Sequence, residues 1–136
     1  MYSFKSIMYR IMLGVQDFLK QRFAKNPEVV EATKNFLVSL GNAPVCVLAF
    51  ELKEEYNGDS GATQSVAAAI ENLLLSAWSE GVGTCWMSPH MSPELKEEIQ
   101  RTFAPDKGEF VAAITMGWPD HEPKMPARKD GRYIFM

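Results

Sequence analysis

The sequence predicts a layered domain of helices and strands, of the α+β or α/β class. Short apolar runs of strand length alternate with segments of helical period. Glycine and proline mark most of the junctions between them. Residues 4–41 read as helix before any strand begins, more than a free-standing doubly wound sheet usually carries. Alternation by itself suggests right-handed βαβ crossovers.

The elements follow in order. Residues 4–24 place Phe4, Ile7, Met8, Ile11, Met12, Val15, Phe18, Leu19 and Phe23 at helical spacing, with Lys5, Arg10, Asp17 and Lys20 mostly off that stripe. Such a helix packs on its own domain or on a second subunit. Asn26-Pro27 breaks it, and Pro27 suits the first turn of a second helix, which carries Val29, Val30, Phe36, Leu37 and Leu40 and stops at Gly41. "APVCVLAFEL" is a short continuous apolar run, as expected of a strand covered on both faces. "KEEYNGDSG" is a polar loop. In "ATQSVAAAIENLLLSAWSEG" the polar residues Gln64, Glu71, Asn72 and Ser79 form one narrow stripe, so this helix is expected to be enclosed on most sides. Ala67, Ala68 and Ala69 allow another element close, and so enclosed a helix in a domain this small points to an obligate dimer. "GTCWM" reads as a short strand. Ser92, Pro93 and Glu94 open a helix with Leu95, Ile99 and Phe103 on one stripe, and Pro105 ends it. "FVAAITMGWP" is a second buried strand. The tail is proline-rich, then basic, then apolar.

At 136 residues the chain has the length of one domain, and 46% apolar residues allow a sizeable core. A net charge of −3 argues against a general nucleic-acid binder. Cys46 and Cys85 lie in apolar runs without a CxxC pair and read as buried, inert thiols of a reducing compartment. The histidines are His90 and His121, too scattered for a zinc set, so no metal is expected. No run approaches the roughly 20 apolar residues of a membrane span. The N-terminal charges are interspersed and no small-residue cleavage site follows, so a targeting peptide is the poorer reading. A cytoplasmic location is expected.

The chain has no GxGxxG, no GxxxxGK[ST] and no GxSxG. Its carboxylates lie largely in turns and on exposed helix faces. Two features remain: the junction "SEGVGTCWMSPH", and the basic group Arg128, Lys129 and Arg132. The first alone is an ordinary glycine cap before a strand. The second alone is a solvated tail.

Together they resemble the nitroreductase-like family of FMN-dependent flavoproteins. The matching pieces stand in the family's order: "APVCVLAF", "QSVAAAIENLLLSAWSEGVGTCW", "SPELKEEI", "FVAAITMGWP" and "PARKDGR". Residues 44–136 carry the match, and the helical segment 1–43 matches loosely, within a single domain spanning 1–136. The resemblance implies an α+β fold with a mixed sheet and surrounding helices, working as an intertwined homodimer. It implies an FMN cofactor at the subunit interface, NAD(P)H as hydride source, and a small organic acceptor such as a nitroaromatic or quinone. The flavin carries the chemistry, so no catalytic side chain is assigned.

Carried over by position, Trp86, Met87, Ser88 and Pro89 run beside the flavin ring. Backbone at Gly83 and Thr84 forms the pocket floor. Arg128 and Lys129 pair with the phosphate. Pro89 has no N–H to offer, and Ser88 supplies a hydroxyl instead. The family's usual opening, an "R-x-S-x-R" grip on the phosphate and a "PSxxNxQPW"-like stretch, has no counterpart here. The chain therefore reads as lacking the usual N-terminal third. The alternative to an oxidoreductase is a non-catalytic dimeric module of the same fold that holds FMN weakly or not at all. Neither nucleic acid nor membrane is expected as a partner.

Overall fold

A computed structural model of the chain describes residues 2–52, 61–88, 91–122, 127 and 131. Helix α1 spans Tyr2–Arg22 and α2 spans Pro27–Ser39. A 3₁₀ turn, Leu40–Asn42, leads into β1, Val45–Phe50. Then come α3 (Gly61–Ser79), β2 (Gly83–Met87), α4 (Pro93–Phe103) and β3 (Phe110–Gly117).

The three strands form one sheet in the order β1-β3-β2, and both pairings are antiparallel. The fold class is α+β. β1 and β2 run the same way and are joined through α3, as alternation suggests, but β3 inserts between them and no adjacent βαβ pair forms. The parallel neighbour that a mixed sheet contains is not among the described strands. Register is kept from Val45↔Met116 to Ala49↔Ala112 and then slips, with Phe50 opposite Phe110. Val111 is the extra residue of this bulge, and it turns Phe110 and Ala112 to opposite faces.

The two faces hold two cores. On one, α1, α2 and α4 bury Phe4, Ile7, Met8, Ile11, Leu37, Leu40 and Ile99 against Met87, Phe110 and Ala113. On the other, α3 packs Ile70 on Ala112 and Ile114, with Val47, Leu73, Leu74 and Trp86 at the edge. The α1 stripe docks as expected except for Phe18, which is 63% exposed. Arg10 Nη2 donates to Glu98 Oε1 at 2.5 Å and ties α1 to α4, and the guanidinium holds the Glu98 carboxyl below its usual range.

In the single chain α3 is covered on its sheet side only: Ile70 and Ala77 are buried, while Leu75 and Trp78 are 59% and 71% exposed. The reason is that α3 has one sheet face beneath it and no described element above it. One expectation is corrected: Cys85 is exposed rather than buried, on a strand that pairs on one side only among the described strands. Helix α2 also ends one residue earlier than its pattern. Leu40 stands at φ 58° and is 1% exposed, so core packing holds a bulky residue in the left-handed region. Gly41 and Asn42 follow at φ 63° and 54°. Ser92 precedes α4 without a side-chain cap bond; its hydroxyl beside Glu94 lowers that carboxyl from its ordinary pKa.

Candidate functional site

Tight backbone approach shapes one end of the sheet. β3 ends at Gly117, where a Cβ would stand 2.8 Å from Pro44 Cδ. Gly83 lies opposite Gly117, and a Cβ there would meet the Gly117 carbonyl oxygen at 3.3 Å and Pro119 Cβ at 3.5 Å. Gly81 ends the turn after α3 at φ 75°. These constraints leave a cavity of about 850 Å³ at this end. Phe36 and the left-handed turn at residues 40–42 wall one side of it, Trp78 and Trp118 another, and Thr84, Cys85 and Thr115 contribute to its lining. Its volume falls within the usual range for small-molecule sites, roughly 300–1,000 Å³. At the mouth, His121 Nδ1 lies 2.5 Å from Asp120 Oδ1, both well exposed.

A strand rises about 3.3 Å per residue, so Ser88 stands roughly 16 Å along β2 from Gly83. Gly83 and Thr84 line the large cavity, whereas Ser88 lies exposed just past the other end of the strand. Trp86 packs on the α3 face and Met87 is buried on the opposite face. The structure thus joins Gly83 and Thr84 to Trp118 and Thr115, and strings Trp86, Met87 and Ser88 along the edge strand. Pro89, Arg128 and Lys129, and Arg132 and His90 with them, lie outside the described residues. A smaller cavity of about 460 Å³ lies beyond that second end, between the start of α4 and the start of β3, lined by Met91, Pro93, Lys96 and Phe110 among others. Lys96 there bridges Glu109 at 2.6 Å.

Cys46, Thr115 and Cys85 are register partners across the three strands and form one row on the α1–α2 face. Partial burial pushes both thiols up from their usual range, so both stay protonated near neutral pH. Phe36, Thr115 and the two exposed tryptophans are site residues that sequence reasoning missed. One signal was present: Thr115 is a single hydroxyl inside the apolar run "VAAITMG". Among the described residues no three His, Cys, Asp or Glu side chains gather as a metal site, and no helix is long and apolar enough to cross a membrane.

The family model described as "Nitroreductase family" matches residues 8–118. The chain belongs to the nitroreductase family. It is 32% identical over 110 residues to the "Putative NAD(P)H nitroreductase YfhC" of Bacillus subtilis (strain 168), a match covering 77% of this chain and 54% of that protein. The nitroreductase-family chain thus spans about half the length of this curated relative. Among solved structures it resembles a nitroreductase family protein from Clostridium novyi NT, with 27% identity, TM-score 0.51, and 68% and 52% of the two chains covered. A nitroreductase with bound FMN from Bacteroides fragilis NCTC 9343 shares the fold at 19% identity and TM-score 0.55, covering 93% and 70%. A BluB-like flavoprotein from Clostridium difficile 630 does so at 22% identity and TM-score 0.57, covering 92% and 71%.

Proposed function

We propose that this chain is an FMN-dependent oxidoreductase unit that takes electrons from NAD(P)H and passes them to a small organic acceptor such as a nitroaromatic or quinone. The observation that carries the reading is the path along β2. A large, partly aromatic cavity lies at its start, an open strand edge runs along it, and an exposed hydroxyl stands at its end.

The residues fit a flavin on the chemistry of their donors. A flat ring system needs apolar faces and hydrogen-bonding groups at its rim. β2 pairs with β3 alone among the described strands, so its outward N–H and C=O groups are open for such a rim. Ser88 adds a hydroxyl where Pro89 removes a backbone donor. A phosphate needs cations, and Arg128 with Lys129 are the proposed pair. Gly83 and Thr84 are proposed as cavity floor, and Trp86 to Pro89 as the edge along the ring. When bound, FMN supplies reversible hydride and electron transfer. The chain binds the cofactor, orients it and limits water.

The same reading takes residues 1–136 as one domain of a cytoplasmic homodimer. The exposed Leu75 and Trp78 on α3 support a second copy covering that helix. The alternative reading is a non-catalytic dimeric module of the same fold that holds FMN weakly or not at all.

Titration calorimetry with FMN and riboflavin tests the phosphate assignment. A charge-assisted hydrogen bond is worth about 1.5–3 kcal/mol, roughly 10- to 100-fold in affinity. Arg128→Ala is expected to weaken FMN by that order and leave riboflavin nearly unchanged, with Arg132→Ala doing much less. Equal losses for both ligands, or for both variants, make Arg128 an ordinary surface charge.

A further inference from the structure

Trp78 and Trp118 are 71% and 77% exposed, and both line the 850 Å³ cavity at the Gly83 end of β2. Two large indoles left in water at one opening add nothing to the core, and apolar surface of this kind marks a place of contact. Trp118 is held there. A Cβ at Gly81 would stand 3.6 Å from its Cζ3, so the ring rests on bare backbone, and Pro119 beside it packs on Gly83. Neither indole stacks on another ring among the described residues. The charges at the opening have one sign. Asp120 and Glu122 follow Trp118 closely in the chain, and no lysine or arginine is among the described residues of the lining. His121 pairs with Asp120, and Glu122 makes no ion pair among the described residues.

Aromatic faces and carboxylates together select for positive charge. The carboxylates repel an anion. A ring face attracts a cation through its quadrupole, most strongly for tryptophan. A bare ammonium is strongly hydrated and gives up its water at a cost. An alkylated ammonium sheds water more easily and brings apolar surface to the indoles. We propose that the mouth of the large cavity binds a small organic cation, an alkylated ammonium, with the charge over Trp118 and with Asp120 and Glu122 beside it. The site stands apart from the flavin reading: Arg128 and Lys129, proposed for the phosphate, are other residues, and cation binding needs no flavin. Trp78 also belongs to the exposed face of α3, so Trp118 is the residue to test.

The test titrates the full chain, without flavin, with three probes of similar shape. They are choline, its uncharged carbon isostere neohexanol, and the anion pivalate. The readout is the NMR shift of the indole N–H signals, with the Trp118 signal identified by its loss in Trp118→Leu. A cation on an indole face corresponds to roughly 2- to 30-fold in affinity, least where it stays wet. Choline should therefore shift the Trp118 signal saturably and bind tighter than neohexanol by that factor, with pivalate weakest. The double variant Asp120→Asn, Glu122→Gln should weaken choline and leave neohexanol unchanged, and added salt should do the same. Both of its side chains are exposed, and circular dichroism checks that the variant is folded. In Trp118→Phe the Trp78 signal should still report choline, at reduced affinity. Neohexanol binding as tightly as choline overturns the proposal. So does a double variant that binds choline like wild type, or a folded wild type that gives no saturable shift with choline. If Trp118→Leu fails to fold, the ratio of choline to neohexanol on wild type decides. A chain that binds choline and no flavin leaves this site standing and overturns the flavin reading; one that binds flavin and not choline does the reverse.

Discussion

Gly117 shows how one residue without a side chain shapes the site. It lets Pro44 cross the end of β3, and a methyl group there would overlap the proline ring, which has little freedom to move. Gly117→Ala is expected to cost about 1–3 kcal/mol through overpacking, read as a lower melting temperature. Ile99 is 0% exposed and joins α4 to the main core, so Ile99→Ala should cost more, about 2–5 kcal/mol. Cys85 sits at the opposite extreme, exposed on a strand that pairs on one side only among the described strands. Its raised pKa means less thiolate at a given pH, not more. Iodoacetamide should therefore label Cys85 more slowly at pH 7 than a small free thiol, and the rate should climb only as pH rises past the usual thiol range. Fast labelling at pH 7 would contradict this. Ser88 is proposed at the ring's polar edge. Ser88→Ala should shift the bound flavin's reduction potential and leave the melting temperature of the free protein nearly unchanged.

Among the elements, those with a complete local signal were legible in the sequence. α4 has proline at its first turn, a single apolar stripe and a proline stop, and it forms over Pro93–Phe103. α1 was readable from its 3.6-residue stripe, since Phe4, Ile7, Met8 and Ile11 are all buried. What was not legible depends on neighbours. An apolar helix surface says that something covers it, not whether the cover belongs to the same chain. For α3 the single copy supplies cover on the sheet side alone. The exposure of Cys85 follows from strand order, which local pattern does not encode. The bulge at Val111 has no signature in "FVAAITM" either, yet it decides which face receives Phe110. The junction "GVGTCWM" pointed to the right strand. It did not show that Gly83 and Ser88 stand at opposite ends of that strand, or that Thr115, thirty-odd positions away in the chain, lines the same cavity.

For the whole molecule, the exposed face of α3 bears on assembly. Leu75 and Trp78 expose large apolar surface on a helix whose other face holds the second core. A homodimer built on α3 buries that surface. Trp78→Glu should then convert the dimer to monomer in sedimentation at low micromolar concentration, while retaining the circular dichroism of the folded chain. A well-folded wild-type monomer at that concentration would remove α3 as a dimer face. The chain matches 54% of YfhC's length, so whether these residues alone hold a cofactor is the central question. The decisive measurement is the visible absorption of the purified chain mixed with FMN and freed of excess by gel filtration. A yellow protein that retains FMN and releases it on denaturation is expected. A folded protein that elutes colourless after exposure to FMN would contradict the flavin-dependent reading.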